Sequence, residues 1–104
     1  MDRWEGKIAL VTGASSGIGA AITQELAKSG VKVFALARRI IKLEQLKQNT
    51  KNIKGEIIPL KADISQEKDI VAAFKTIKKK FGTIHILVNN AGISRVATLS
   101  GKYL

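Results

Sequence analysis

Gly13, Gly17 and Gly19, with Ala14, Ser15, Ser16 and Ile18 between them, follow an apolar run at residues 8–11 and precede a stretch of helical periodicity. Small residues at this spacing suit a strand that turns sharply into a helix and presents the helix N-terminus to an anion. Gly13 permits the tight turn, Gly17 lets the backbone approach a phosphate with no Cβ in the way, and Gly19 lets the helix lie close to a sheet. The unpaired amides of the first helical turn point at the ligand, and the positive end of the helix dipole favours its charge. The implied chemistry is capture of a dinucleotide through its pyrophosphate.

Cofactor choice is argued from the end of the second apolar run, where an NAD-binding chain places an acid for the ribose hydroxyls. Ala37-Arg38-Arg39 stands there instead. No carboxylate is present to repel a phosphate, and one or two guanidinium groups are present to clamp it, so NADP is favoured over NAD. Arg38 is the stronger candidate because it directly follows the run. The hydroxyls of Ser15 and Ser16 fit the same reading as donors to phosphate oxygens. The alternative is that both arginines are solvated loop residues. His85, the single histidine, invites a general-base role because its ordinary pKa lies near neutrality. Its place at the start of a strand, the end opposite a ligand crevice, argues against that role.

The elements that must position these groups alternate near-continuous apolar runs with helical periods, the pattern of a parallel sheet covered by crossover helices. Strands are expected at residues 7–12, 31–37, 56–62 and 84–88. A first helix carries Ile18, Ile22 and Leu26 at four-residue spacing and ends at Gly30; a second spans residues 40–48 with Leu43 and Leu46 inward. Glu44 on that helix reads as part of a solvated face. Ser65 is expected to cap a third helix, whose Ile70, Phe74, Ile77 and Phe81 form a core stripe before Gly82. Pro59 cannot donate a ladder hydrogen bond, so the third strand belongs at the sheet edge, in agreement with the order 3-2-1-4 of a doubly wound α/β fold. Crossover handedness puts the first two helices on one face and the third on the other, leaving the fourth strand as an apolar edge that invites association.

Two motifs carry a family resemblance. Thr12-Gly13-x-x-x-Gly17-x-Gly19, together with Asn89-Asn90-Ala91-Gly92 after an apolar strand, resembles the short-chain dehydrogenase/reductase family. The opening seven residues and Gly92-Ile93-Ser94-Arg95 are most similar to its farnesol and ketosteroid dehydrogenase branch. The resemblance implies a Rossmann-like fold and NADP-dependent hydride transfer on an alcohol/carbonyl pair. It implies that Asp63 receives the adenine amino group with Ile64 packing nearby, that Asn90 lies beside the adenosine ribose, and that Ala91 and Gly92 keep the strand end close to the cofactor. The alternative for Asp63 is a turn or helix-capping aspartate, and the Asn-Asn-Ala-Gly run could simply terminate a strand.

The resemblance covers the N-terminal half of a family member, so the 104-residue chain reads as a single partial domain. The family's proton donor lies in a Tyr-x-x-x-Lys that Tyr103 cannot form, and neither Ser94 nor Ser100 matches the family's serine. No catalytic residue is therefore assigned, and the chain alone is expected to be inactive, its alcohol or ketone substrate met only in a longer form. The other reading is a noncatalytic NADP-binding or regulatory module. A net charge of +10 raises nucleic acid and anionic membranes as partners. The lysines instead fall on helix faces and helix ends, and no nucleic-acid-reading motif is present, so neither partner is expected. The absence of cysteine excludes disulfides and thiolate metal sites and fits a reducing, cytoplasmic setting. The charged N-terminus runs into a strand within a few residues, which suits neither a signal peptide nor a membrane span.

Overall fold

The computed structural model describes residues 4–15, 17–50, 53–63 and 65–89. They form β1 (Ile8–Thr12), α1 (Gly17–Lys28), β2 (Lys32–Ala37), α2 (Ile40–Asn49), β3 (Glu56–Lys61), α3 (Glu67–Phe81) and β4 (Ile86–Asn89). The four strands make one sheet in the order β3-β2-β1-β4, and each neighbouring pair is parallel. This is the doubly wound arrangement expected from the sequence. Pro59 falls on β3, an edge strand whose single partner is β2, so the missing amide costs no ladder on the outer side.

Alternation along the strands sorts the core into two layers. Ala9, Val11, Val33, Ala35, Ala37 and Ile57 face α1 and α2 and pack with Ala27 and Leu43. Ile8, Leu10, Phe34 and Leu36 face the opposite way and pack with Phe74 and Ile77 of α3. The chemistry of the two faces follows from their cover. Two helices crowd the first face, where alanines let them approach; one helix covers the second, where larger side chains fill the space. Phe34 and Phe81 meet there with ring centroids 5.4 Å apart and planes tilted by 54°, a geometry aromatic pairs favour.

The first helix departs from the expected pattern. Its buried residues are Gly19, Thr23 and Ala27, whereas Ile18 is 70% exposed. Four-residue spacing is shared by every row of a helix, so spacing alone could not tell the Ile18-Ile22-Leu26 row from its neighbour. Close contact with the alanine-rich sheet face selects the smaller row, and Leu26 packs at its margin.

The start of α3 is corrected as well. The cap position is Gln66, with no side-chain cap bond, and Ser65 donates instead to Asp63 two residues back. Serine favours such local bonds wherever an acceptor lies within reach, and the Asp63 carboxylate competes successfully for it. Asp69 in the first turn reaches back to accept the Asp63 amide at 3.1 Å, tying the exit of β3 to the helix. Strand limits shift by up to two residues, with Lys7, Val31, Ala62, Ile84 and His85 outside the ladders and Asn89 inside. Among the described residues, no helix is long and apolar enough to cross a membrane.

Candidate functional site

In a parallel sheet every strand ends at the same rim, so the groups singled out above are gathered by topology before any side chain is considered. Short bonds then fix one strand end against the next. The Ala14 amide donates to the Leu36 carbonyl at 3.2 Å, and the Ala62 amide donates to the Ala37 carbonyl at 3.0 Å. Between β1 and β4, where the winding reverses, the buried Thr12 hydroxyl donates to Asn89 Oδ1 at 2.9 Å. That bond joins the two sequence motifs directly.

At the turn after β1, Gly13 and Gly17 both take positive φ, +65° and +57°. A Cβ built on Gly17 would meet no atom within 4 Å, so the space in front of this backbone is open. The residue expected from the sequence to approach a phosphate is thus both conformationally dependent on glycine and uncovered. Gly19 is buried against the sheet and its carbonyl accepts the Thr23 hydroxyl at 2.8 Å. Ala14 is buried, and Ile18 stands out from the helix start. This cradle fits a bridging diphosphate: open backbone, a helix N-terminus behind it, and no acid in the first turn of α1.

Arg38 and Arg39 follow β2 at the same rim. Arg39 occupies the cap position of α2 with no side-chain cap bond. Arg38 Nε lies 3.9 Å from Asp63 Oδ1, with the two side chains 69% and 38% exposed. Asp63 Oδ1 also accepts the Ser65 amide at 3.0 Å and the Ser65 hydroxyl at 2.6 Å. The Ser65 hydroxyl and then the Ser65 amide hold the Asp63 carboxyl below its usual range, with Arg38 adding a smaller pull and partial desolvation opposing. Because the folded pKa lies below the unfolded one, the stabilisation is present at neutral pH and is lost as pH falls through the folded value. Asp63 is thus an Asx-turn residue, as the residue-level reading allowed, and it also pairs with the arginine proposed for cofactor choice.

Ser16, Ile64, Asn90, Ala91 and Gly92 lie outside the described residues. His85 sits at the amino end of the sheet, opposite this rim, where its Nδ1 accepts the Ile8 amide and its own amide donates to the Ile8 carbonyl, each at 2.9 Å. A structural acceptor, not a base, is what the sheet requires of it. Glu44 is exposed. Among the described residues, no group of histidine, cysteine or acidic side chains could hold a metal.

Residues 7–101 match the model of the family described as short chain dehydrogenase. The chain belongs to the short-chain dehydrogenase family. A farnesol dehydrogenase from Aedes aegypti is 55% identical over 102 residues, which cover 97% of this chain and 42% of that protein. A metagenomic short-chain oxidoreductase solved in complex with NADP superposes with a TM-score of 0.77 at 37% identity, over 86% of this chain and 40% of that one. L-sorbose reductase from Gluconobacter frateurii, solved with NADPH and L-sorbose, gives a TM-score of 0.74 at 33% identity, over 86% and 34%. The chain spans less than half the length of each of these relatives.

Within this short-chain dehydrogenase chain, Thr12 is the site residue that sequence reasoning passed over. It stands in the fingerprint, yet only the fold shows that its hydroxyl reaches Asn89, 77 residues further on. The available signal was a polar residue closing an otherwise apolar parallel strand, where a buried hydroxyl requires a partner. Thr12→Val keeps the shape and removes the donor, so we expect a loss of about 1 kcal/mol of stability by denaturant unfolding. Fraying should concentrate at the β1–β4 end, visible as faster amide exchange at Val88 and Asn89.

Proposed function

We propose that this chain forms the coenzyme-holding part of an oxidoreductase that uses NADP in preference to NAD and acts on an alcohol/carbonyl pair. The observation that carries the cofactor preference is the rim after β2. An exposed guanidinium follows the strand directly, and α2 begins there with no cap bond from the Arg39 side chain. Both features attract the extra phosphate of NADP, and the acid that would bond a free ribose hydroxyl is missing from Ala37-Arg38-Arg39. The NADP and NADPH bound to the two solved relatives support the same preference.

The coenzyme supplies a nicotinamide that gives or accepts hydride. This chain's residues hold and orient it. The turn at Gly13, Ala14, Ser15, Ser16, Gly17, Ile18 and Gly19 takes the pyrophosphate; Arg38, aided by Arg39, takes the ribose phosphate; Asp63 and Ile64 bound the adenine; Asn90, Ala91 and Gly92 border the adenosine ribose and the end of β4. Proton donation and the choice of alcohol or ketone are assigned to no residue of this chain.

Separate titrations of NADPH and NADH into the purified protein, repeated with Arg38→Ala, test the preference. Loss of hydrogen bonds to a charged group should weaken NADPH roughly 10- to 100-fold and leave NADH nearly unchanged. Equal weakening of both coenzymes would reject Arg38 as the phosphate clamp.

A further inference from the structure

We infer that Ser65 is a positioning residue for cofactor selectivity, acting through Asp63 on Arg38 without touching the ligand. The inference rests on the reading of Arg38 given above and extends it to the residues that hold the guanidinium in place.

Three groups converge on a single oxygen. Asp63 Oδ1 accepts the Ser65 amide at 3.0 Å and the Ser65 hydroxyl at 2.6 Å, and faces Arg38 Nε at 3.9 Å. The Asp63 backbone is anchored in turn, because its amide donates to Asp69 Oδ2 in the first turn of α3. The carboxylate is therefore held by Ser65, and the backbone that carries it by Asp69. Arg38 needs such a bracket: its side chain is 69% exposed, and a free arginine must surrender its rotamer freedom when it clamps a phosphate. The length of the contact matters. At 3.9 Å the Nε–Oδ1 approach is an ion pair longer than a hydrogen bond, so it does not commit the guanidinium donors that match phosphate oxygens. The acid next to the phosphate clamp therefore orients the clamp and does not compete for it.

Affinities for NADP and NAD, and for 2′,5′-ADP and 5′-AMP as fragments lacking the nicotinamide, are to be measured for the parent, Ser65→Ala, Ser65→Thr, Asp63→Asn and Arg38→Ala proteins. Ser65→Ala should lower the ratio of NADP to NAD affinity, and of 2′,5′-ADP to 5′-AMP affinity, by roughly two- to fivefold, the scale of an exposed ion pair. Ser65→Thr, which keeps the hydroxyl, should restore both ratios. Asp63→Asn should lower the ratios at least as far, on top of any equal loss for both ligands that its adenine contact contributes. In an Arg38→Ala background, Ser65→Ala should change neither ratio, since the residue through which it acts is gone. A merely structural role for Ser65 would lower the melting temperature and weaken all four ligands alike. Unchanged or rising ratios in Ser65→Ala and Asp63→Asn, with Arg38→Ala still lowering them, would overturn the bracket while leaving Arg38 as the clamp. Ratios unmoved by Arg38→Ala would overturn both readings together.

Discussion

Gly17→Val is expected to weaken coenzyme binding by roughly 100-fold or more in a protein that still folds. The φ of +57° at this position lies in the left-handed region, where an ordinary L-residue costs about 1–2 kcal/mol and a β-branched one more. That is a measurable destabilisation, yet it falls short of the 5–15 kcal/mol that typically holds a domain together. The Cβ itself adds no packing clash, since it meets nothing within 4 Å beyond its chain neighbours. The same emptiness makes the substitution costly to binding. The valine methyl groups would stand where the diphosphate must approach the amides of α1. Losing two hydrogen bonds to a charged group, at about 1.5–3 kcal/mol each, lowers affinity by roughly 100-fold or more. Calorimetric titration with NADPH, alongside a thermal melt, separates the two effects, and Gly17→Ala should fall between valine and the parent in affinity. Parent-like affinity in the valine variant would place the pyrophosphate elsewhere.

The contrast between strain and occlusion at Gly17 reflects what the sequence makes legible. A turn fingerprint is local, and its demands on the backbone can be read from neighbouring residues. The sheet was legible for a similar reason. Strands buried on both faces read as unbroken apolar runs, and Pro59 identified the edge because the missing amide leaves it few places to go. The division of the core was legible only in part. Leu43, Phe74 and Ile77 face inward as their spacing predicts, while α1 turned its Gly19-Thr23-Ala27 row to the sheet. That choice depends on how closely the helix approaches alanines at positions 9 and 35, which no local pattern records. The rim contacts were least legible. Thr12 with Asn89 spans 77 residues, and Arg38 with Asp63 joins the ends of two strands through side-chain geometry alone. Composition predicted a phosphate clamp there, and only the fold shows what the clamp leans on. Ser65 illustrates the same limit at short range: its residue type suited a helix cap, but a carboxylate two residues away outcompeted the helix amides.

Gly55 carries the largest structural consequence that the sequence concealed, because nothing around it distinguishes it from any glycine closing a polar loop. In the fold it lies flat against the turn between α1 and β2. A Cβ on Gly55 would stand 2.1 Å from the Val31 carbonyl oxygen, 2.7 Å from the Val31 nitrogen and 2.8 Å from the Gly30 carbonyl carbon. Every obstructing atom is backbone, so no rotamer change relieves the contact. The Gly55 amide donates to the Ala27 carbonyl at 2.8 Å and the Glu56 amide to the Val31 carbonyl at 3.2 Å, so this close approach also seats the first residue of β3 beside β2. Gly55→Ala must either lift β3, an edge strand with one partner, or displace the turn that starts β2. Overpacking of a rigid contact costs about 1–3 kcal/mol, and the two hydrogen bonds at risk add about 0.5–1.5 kcal/mol each, so we expect a loss of roughly 2–6 kcal/mol. For a domain of this size that lowers the melting temperature by about 8 °C or more. Gly82→Ala is the matched control: its φ of +88° strains an alanine, but no atom lies within 4 Å of the added Cβ, and it should lose only about 1–2 kcal/mol. Equal melting temperatures for the two variants would mean that β3 is not seated on the Gly30–Val31 backbone. The expected ordering, with Gly55→Ala far below Gly82→Ala, would show that contact with backbone, rather than positive φ, is what makes a glycine irreplaceable here.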